Sequence, residues 1–266
     1  MEIAEIVKLK LSKLSIVATE ATEQTETHQI CEIIQFRDKI LTEPDSIKKT
    51  VLFKVKFVQI LQSLVSVKLQ FDGKEKELMN QIFERSLNRI YGVQEKGIYL
   101  YAESSYKFEN KSVSIIGNGT GKTTIMRAVV IFERYCQLAF TAPNYQLEYY
   151  RQILAQTPDY INCSHTSDDV RTTGLFPPEC FYKNMLFDEV GKESKLIKHF
   201  GNDINFFTFI VEKRYRIVQD KGLSFSTNFT SNLPPEALIK QYGTHIFDRL
   251  TEMVDFIEMQ GQSKRR

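Results

Sequence analysis

The 266-residue chain lacks the features of a membrane-bound or secreted protein. No apolar run approaches the roughly 18 residues that a membrane-spanning helix requires. Residues 1–5 are acidic, whereas a secretory signal peptide begins with basic residues and an apolar core. The four cysteines lie far apart and form no C-x-x-C pair, which argues against a structural zinc site and a disulfide scaffold. We therefore expect a soluble cytoplasmic protein with reduced thiols and no membrane partner.

The chain also lacks an excess of charge of either sign. It has 35 Lys and Arg against 33 Asp and Glu, which gives a formal net charge of +2. Any contact with nucleic acid must therefore come from a local patch rather than from the field of the whole protein. Hydrophobic residues make up 42% of the chain, which is enough to bury a sizeable core.

Residues 1–75 differ in pattern from the rest and are predicted to form a small N-terminal partner-binding region. Asp45 and Ser46 are candidate N-caps of a helix. Apolar residues are dense over 51–70, where 57–65 follow helical spacing and 51–58 fit either a strand or a helix. Because no chemistry is visible here, an interaction module and a plain packing domain both remain open.

From residue 76 onward, short apolar runs alternate with amphipathic helices, as in an α/β domain with a parallel sheet. Residues 75–91 are predicted to form a helix that ends near Gly92. The predicted strands are residues 98–102, 113–116, 137–141, 184–187, 223–227 and 254–259.

The segment 114–124 has the pattern of a phosphate-binding loop, in which an apolar strand leads into a glycine-rich turn and Gly-Lys-Thr opens a helix. Glycines let consecutive N–H groups point into one concavity, and the helix N-terminus adds its positive dipole end. Lys122 would reach the phosphates of ATP, and the Thr123 hydroxyl would bind Mg²⁺. The predicted ATP-binding residues are Gly117, Asn118, Gly119, Thr120, Gly121, Lys122, Thr123 and Thr124.

This loop is one residue shorter than the usual G-x-x-x-x-G-K pattern. That pattern would put its first glycine at position 116, where the chain has Ile116, and Gly117 is one residue too close. Either the loop is tighter, with Gly119 and Gly121 forming most of the cradle, or its affinity for nucleotide is compromised. A glycine-rich turn without a ligand is the remaining alternative.

Two later apolar segments lead into polar side chains. Asp188 and Glu189 lie 66 and 67 residues after Lys122, and we predict that Asp188 holds Mg²⁺ while Glu189 polarises the attacking water. Asn228 follows the predicted strand 223–227, and its amide would orient that water, because an amide both donates and accepts. The alternative for Asn228 is a turn residue.

Two arginines are candidates for contact with a γ-phosphate. Arg249 lies on a predicted helix after Asn228, and Arg265 lies in the C-terminal tail. A guanidinium suits a phosphate because it stays charged and offers several donors in a rigid fork. Arg214 and Arg216 are assigned mainly to the solvated surface. Phe206 and Phe207 have the spacing of core residues, although aromatic side chains beside basic residues also suit single-stranded DNA.

The order of these motifs resembles the DnaC/IstB branch of AAA+ ATPases, which are bacterial and phage helicase loaders and transposition helpers. The resemblance covers about residues 76–266 and is most specific over 223–265. There, residues 242–250 read Y-G-x-x-I-x-x-R-L and residues 261–265 read G-x-S-x-R. The family usually runs a K-G-I-x-L strand straight into its phosphate loop, whereas here residues 96–100 are followed by the additional segment 102–112 and a second apolar run.

The resemblance implies a P-loop NTPase fold of AAA+ type with a five-stranded parallel sheet flanked by helices. Lys122 and Thr123 would be Walker A residues, and Asp188 and Glu189 would be Walker B residues. Asn228 would be sensor 1, Arg249 an arginine finger that acts on a neighbouring subunit, and Arg265 the sensor 2 arginine.

The function implied is an ATP-dependent loader of the replicative DNA helicase onto single-stranded DNA. Its cofactors would be ATP and Mg²⁺, and it would form a nucleotide-dependent homo-oligomer. A transposition helper of the same family is one alternative. A non-hydrolysing adaptor, whose shortened loop no longer binds nucleotide productively, is the other.

Overall fold

The structure, a computed structural model, describes residues 28–65, 73–102, 121–141, 160–193, 196–199, 202–221 and 225–259. The chain divides into two compact units, one of Met1–Leu52 and Arg134–Gln156, and the other of Phe53–Glu133 and Thr157–Arg266. The domain boundary expected at residue 75 stays a prediction. Within the described parts of the chain, no helix combines the length and the apolar character needed to cross a membrane.

The secondary structure alternates helices and short strands. The helices are α1 (28–42), α2 (Ser46–Ser63), α3 (Gly73–Ile90), α4 (Lys122–Thr141), α5 (Cys163–Thr173), α6 (Glu179–Tyr182), α7 (Phe206–Lys221), α8 (Pro235–Tyr242) and α9 (Thr244–Met253). The strands are β1 (Gly97–Tyr101), β2 (Tyr160–Asn162), β3 (Met185–Val190), β4 (Ile197–His199), β5 (Asn202–Ile204), β6 (Thr227–Ser231) and β7 (Val254–Glu258).

Five of these strands form one sheet in the order β2-β3-β6-β1-β7, and every pairing in it is parallel. Strands β4 and β5 form a separate antiparallel pair. The α/β fold with a five-stranded parallel sheet flanked by helices is therefore confirmed. Because all five strands point the same way, the residues that follow them gather at one carboxyl edge of the sheet, where α/β proteins bind ligands.

In the unit that contains the N-terminus, α1 packs against the end of α4. Ile30 and Ile33 of α1 form a buried cluster with Leu138 and Ala139. In the same unit, the Asp45 carboxylate accepts hydrogen bonds from the N–H groups of Ile47 at 2.8 Å and Lys48 at 3.1 Å. Asp45 is thus the N-cap of α2. The segment 51–58, which fitted either element, is helical.

Two predicted strands are wrong. Residues 137–141 belong to α4, where Leu138 and Ala139 are buried with Ile30 and Ile33 of α1. A short apolar run does not by itself distinguish a helix from a strand. The strand predicted over 223–227 is Thr227–Ser231. All five of its residues are buried, and four of them are Thr, Asn or Ser. Its sequence therefore has the composition of a turn. The predicted strand 113–116 lies outside the described residues.

The core of the larger unit joins α7 to the sheet through aromatic side chains. Phe206 and Phe207 are buried, and the Phe207 ring lies 5.4 Å from the ring of Phe229 on β6. The Phe229 ring in turn stacks on Phe187 of β3 at 5.5 Å. The interpretation of Phe206 and Phe207 as core residues is confirmed. All four cysteines are free, as expected.

Arg214 on α7 is wholly buried, so its assignment to the solvated surface is wrong. Its guanidinium donates to the hydroxyl of Thr227 at 2.8 Å and to the carbonyls of Cys180 at 2.6 Å, Lys183 at 2.9 Å and Ser226 at 3.1 Å. Burial lowers the pKa of Arg214 to about 9, so the side chain stays charged at neutral pH. The Arg214 side chain therefore connects α7 with α6 and with the start of β6.

Candidate functional site

Asp188 on β3 is the centre of a hydrogen-bonded cluster at the carboxyl edge of the sheet. Its carboxylate is 3% exposed, and its Oδ1 accepts a hydrogen bond from the Thr123 hydroxyl at 2.7 Å. The hydroxyl of Thr230 on β6 also donates to Oδ1, and the Tyr160 hydroxyl on β2 donates to Oδ2 at 3.1 Å. The structure thus brings together Thr123 and Asp188, the two residues predicted to hold Mg²⁺. Their role as metal ligands stays a prediction.

Lys122 begins α4 beside this cluster, and Gly121 directly precedes the helix. Gly121 has a φ of +95°, a left-handed conformation that favours glycine, and its carbonyl accepts the first helical hydrogen bond, from Ile125 N at 3.0 Å. The Lys122 side chain is 8% exposed, and its Nζ donates to the Asn232 amide oxygen at 2.8 Å. Thr124 lies in the first turn of the same helix. The loop residues Gly117, Asn118, Gly119 and Thr120 lie outside the described residues.

Asn232, rather than Asn228, occupies the end of β6. Asn228 is the second residue of this strand, is fully buried, and accepts a hydrogen bond from the backbone N–H of Ile98 at 3.0 Å through its amide oxygen. It therefore joins β6 to β1 inside the sheet. Asn232 follows the last strand residue and contacts Lys122, which is the position that the sequence assigned to Asn228. A sequence signal did exist, since Asn232 lies four residues further along the same polar run.

Glu189 follows Asp188 at an irregular point of β3. Its backbone has a φ of +60°, and the pairing of β3 with β6 shifts register between Phe187 and Val190. A left-handed conformation at a residue other than glycine costs on the order of 1–3 kcal/mol and is commonest at functional sites. The carboxylate accepts a hydrogen bond from the Asn162 amide at 3.0 Å and forms an ion pair with Lys192. Both of its oxygens therefore have partners in this structure.

Arg249 lies on α9 and contacts α7. Its Nη1 is 2.9 Å from the Glu212 carboxylate, and its guanidinium lies 5.5 Å from the centre of the Tyr215 ring. The side chain is 27% exposed. Its contacts are therefore with α7 and not with the cluster around Asp188, which leaves a role toward a neighbouring subunit as a prediction. Arg265 lies outside the described residues.

The residues at the sheet edge fit Mg²⁺ and a triphosphate. A threonine hydroxyl and an aspartate carboxylate are the oxygen ligands that Mg²⁺ prefers, and Mg²⁺ is usually held by one or two carboxylates together with substrate phosphates. Lys122 is placed at a helix N-terminus, where the amine and the helix dipole both favour an anion. Carboxylate, hydroxyl, amine and amide groups thus lie along one edge of the sheet.

Three residues of this cluster carried no signal in the sequence. Tyr160 and Asn162 belong to β2, which has three residues, and Thr230 lies within a run of small polar residues. Their neighbours at the site are far away in the chain, and the contacts exist because β2, β3 and β6 lie side by side. A pattern of spacing along the chain cannot reveal such a cluster.

The chain is similar to a solved structure. No protein-family model matches the chain, and no curated protein matches it. A chain in the solved structure titled "Crystal Structure of the DnaI" aligns with 76% of this chain and 94% of its own length. The aligned residues are 19% identical, and the TM-score is 0.37. Over that alignment, the chain is similar to this DnaI structure.

Proposed function

We propose that this protein binds ATP with Mg²⁺, hydrolyses it, and uses the cycle to load a replicative DNA helicase onto single-stranded DNA. One observation carries the ATP-binding part of the proposal. Lys122 and Thr123, adjacent at the start of a helix, contact Asn232, directly after β6, and Asp188, within the neighbouring parallel strand β3. The loader part comes from the order of sequence motifs, which resembles the DnaC/IstB branch of AAA+ ATPases.

Each residue at the sheet edge receives a role in this proposal. Lys122 binds the β- and γ-phosphates, and the first turn of α4 adds its backbone N–H groups. Thr123 and Asp188 hold Mg²⁺, which, when bound, neutralises negative charge on the phosphates. Glu189 polarises the attacking water. Asn162 and Lys192 each contact one oxygen of its carboxylate, and each oxygen can accept a further hydrogen bond from water.

Replacing Lys122 by alanine should weaken ATP binding about 10- to 100-fold, because hydrogen bonds to a charged group are among the strongest in proteins. The measurement is equilibrium titration with a fluorescent ATP analogue, with and without Mg²⁺. Lys240→Ala, which removes an exposed lysine from α8, is the matched control and should leave ATP affinity unchanged. Equal ATP affinity in Lys122→Ala and the wild type would show that the phosphate-loop assignment is wrong.

Asn232→Ala should lower ATP turnover about 10²-fold with little change in ATP affinity, because a positioned amide acts mainly on the attacking water and the charge of the transition state. Asn228→Ala is its matched comparison. It should lower the stability of the protein, since it leaves the Ile98 N–H without its partner inside the sheet. Steady-state turnover and urea unfolding separate the two effects. Full turnover in Asn232→Ala would remove this amide from the mechanism.

The loader function is tested by the size of the assembly. We expect ATP with Mg²⁺ to shift the wild-type protein, mixed with the replicative helicase of the same organism, to a larger complex in analytical ultracentrifugation. The Lys122→Ala variant should show no shift. An ATP-dependent shift without the helicase, together with no effect of the helicase, would instead favour the transposition helper. A shift that occurs equally without nucleotide would favour the non-hydrolysing adaptor.

A further inference from the structure

Tyr160 makes a contact at the magnesium site that the proposed catalytic roles do not use. The Asp188 carboxylate receives three hydroxyl hydrogen bonds, from Thr123, Thr230 and Tyr160. Two of these hydroxyls donate to Oδ1. The described contact to Oδ2 comes from Tyr160, at 3.1 Å. The phenol therefore fixes the side of the carboxylate that faces away from Thr123.

The position of Tyr160 is set by two elements on either side of it. Strand β2 pairs in parallel with β3, so that Tyr160 lies opposite Leu186 and Asn162 opposite Asp188. On the other side, the guanidinium of Arg127 lies 5.2 Å from the centre of the Tyr160 ring. Arg127 is four residues after Thr123 on α4, so both side chains are on the same face of that helix. The Tyr160 ring thus connects the helix that carries Thr123 with the strand that carries Asp188.

The hydroxyl of Tyr160 is a donor throughout the neutral pH range. An ordinary tyrosine hydroxyl has a pKa of about 10, so the phenol keeps its proton at neutral pH. A protonated phenol next to a carboxylate gives a charge-assisted hydrogen bond, which is stronger and more directional than a neutral one. With Oδ2 held in this way, rotation of the carboxylate would break a bond, so Oδ1 stays directed at Thr123.

We propose that Tyr160 is a positioning residue of the magnesium site, which orients the Asp188 carboxylate so that it and Thr123 meet Mg²⁺ together with ATP. The proposal rests on the proposed function, because it assigns a role toward the same metal. A positioning role of Tyr160 differs from a merely structural role in one measurable respect. Loss of the hydroxyl should change the Mg²⁺ dependence of ATP binding and leave Mg²⁺-free ATP binding as it is.

Tyr160→Phe removes the hydroxyl and keeps the ring that Arg127 contacts. We expect the Mg²⁺ concentration that half-saturates ATP binding to rise about tenfold, the fold-change for one hydrogen bond to a charged group. ATP affinity in the presence of EDTA should equal that of the wild type. The readout is the fluorescence of a bound ATP analogue titrated with MgCl₂, which depends on equilibrium binding and not on turnover.

Tyr215→Phe is a matched control, because the Tyr215 hydroxyl also donates to a carboxylate, that of Glu252 at 2.8 Å. It should leave the Mg²⁺ dependence unchanged. Two results would overturn the positioning role: a Tyr160→Phe titration that superimposes on the wild type, or an equal loss of ATP affinity with and without Mg²⁺. If the wild type itself binds ATP without any effect of Mg²⁺, the metal site proposed above fails, which is distinguishable from a failure of Tyr160 alone.

Discussion

Replacing Arg249 by alanine should reduce stimulated ATP turnover about 10³- to 10⁵-fold, the range for an arginine finger in related phosphoryl-transfer systems. The reason is electrostatic, because a guanidinium supplied by one subunit stabilises the charge that develops on the γ-phosphate bound by the next. ATP affinity should change little, since the Arg249 contacts in its own chain are with Glu212 and Tyr215. Turnover measured with the helicase and single-stranded DNA, beside an ATP-binding titration, tests both statements.

Mixed oligomers can show that Arg249 acts between subunits. A mixture of Arg249→Ala and Lys122→Ala should regain part of the turnover that each variant lacks alone, since an intact ATP site then meets an intact arginine. Arg171→Ala is a matched control because Arg171 is 60% exposed and forms a similar ion pair, 3.3 Å from Asp168. Full turnover in Arg249→Ala would exclude this residue from the mechanism. No recovery in the mixture would exclude action between subunits.

The sheet could be predicted where its strands are apolar. Strands β1, β3 and β7 lie close to the predicted strands, because aliphatic and aromatic residues distinguish them from their surroundings. Strand β6 was predicted four residues too early, because the buried Thr230 and Ser231 satisfy their hydroxyls with Asp188 and Val190 instead of packing apolar surface. Burial of hydrogen-bonded polar residues leaves no hydrophobic pattern for the sequence to display.

The residues of the candidate site also fall into those that the sequence could predict and those that it could not. Lys122, Thr123 and Asp188 could be predicted, because each belongs to a short motif whose residues are consecutive in the chain. Tyr160 could not, because its contact with Asp188 depends on which strands become neighbours. The polar run that holds Asn232 was visible, but it does not show that β6 ends at Ser231. The buried Arg214 shows the same limit, since two of its acceptors lie in or directly after α6 and the other two lie at the start of β6.

Arg214→Met should lower the free energy of unfolding by about 3–5 kcal/mol, because several buried neutral acceptors lose their donor, at about 1–3 kcal/mol for each group left unsatisfied. Methionine is unbranched and flexible, so it fills much of the same space and limits the contribution from a cavity. The loss arises mainly because the Thr227 hydroxyl and the carbonyls of Cys180, Lys183 and Ser226 lose their donor in the interior. Urea unfolding followed by circular dichroism measures the change in the midpoint and in the slope.

Arg216 provides the control on the same helix, two residues further along. Its side chain is 64% exposed and lies 3.9 Å from Glu212, so Arg216→Met should change the free energy of unfolding by less than about 0.5 kcal/mol. Arg214→Lys should fall between the two variants, because an ammonium keeps the charge but cannot span acceptors on α6 and β6 at once. An Arg214→Met protein as stable as Arg216→Met would mean that the four acceptors find other donors. The guanidinium would then not be what holds α7 to the sheet.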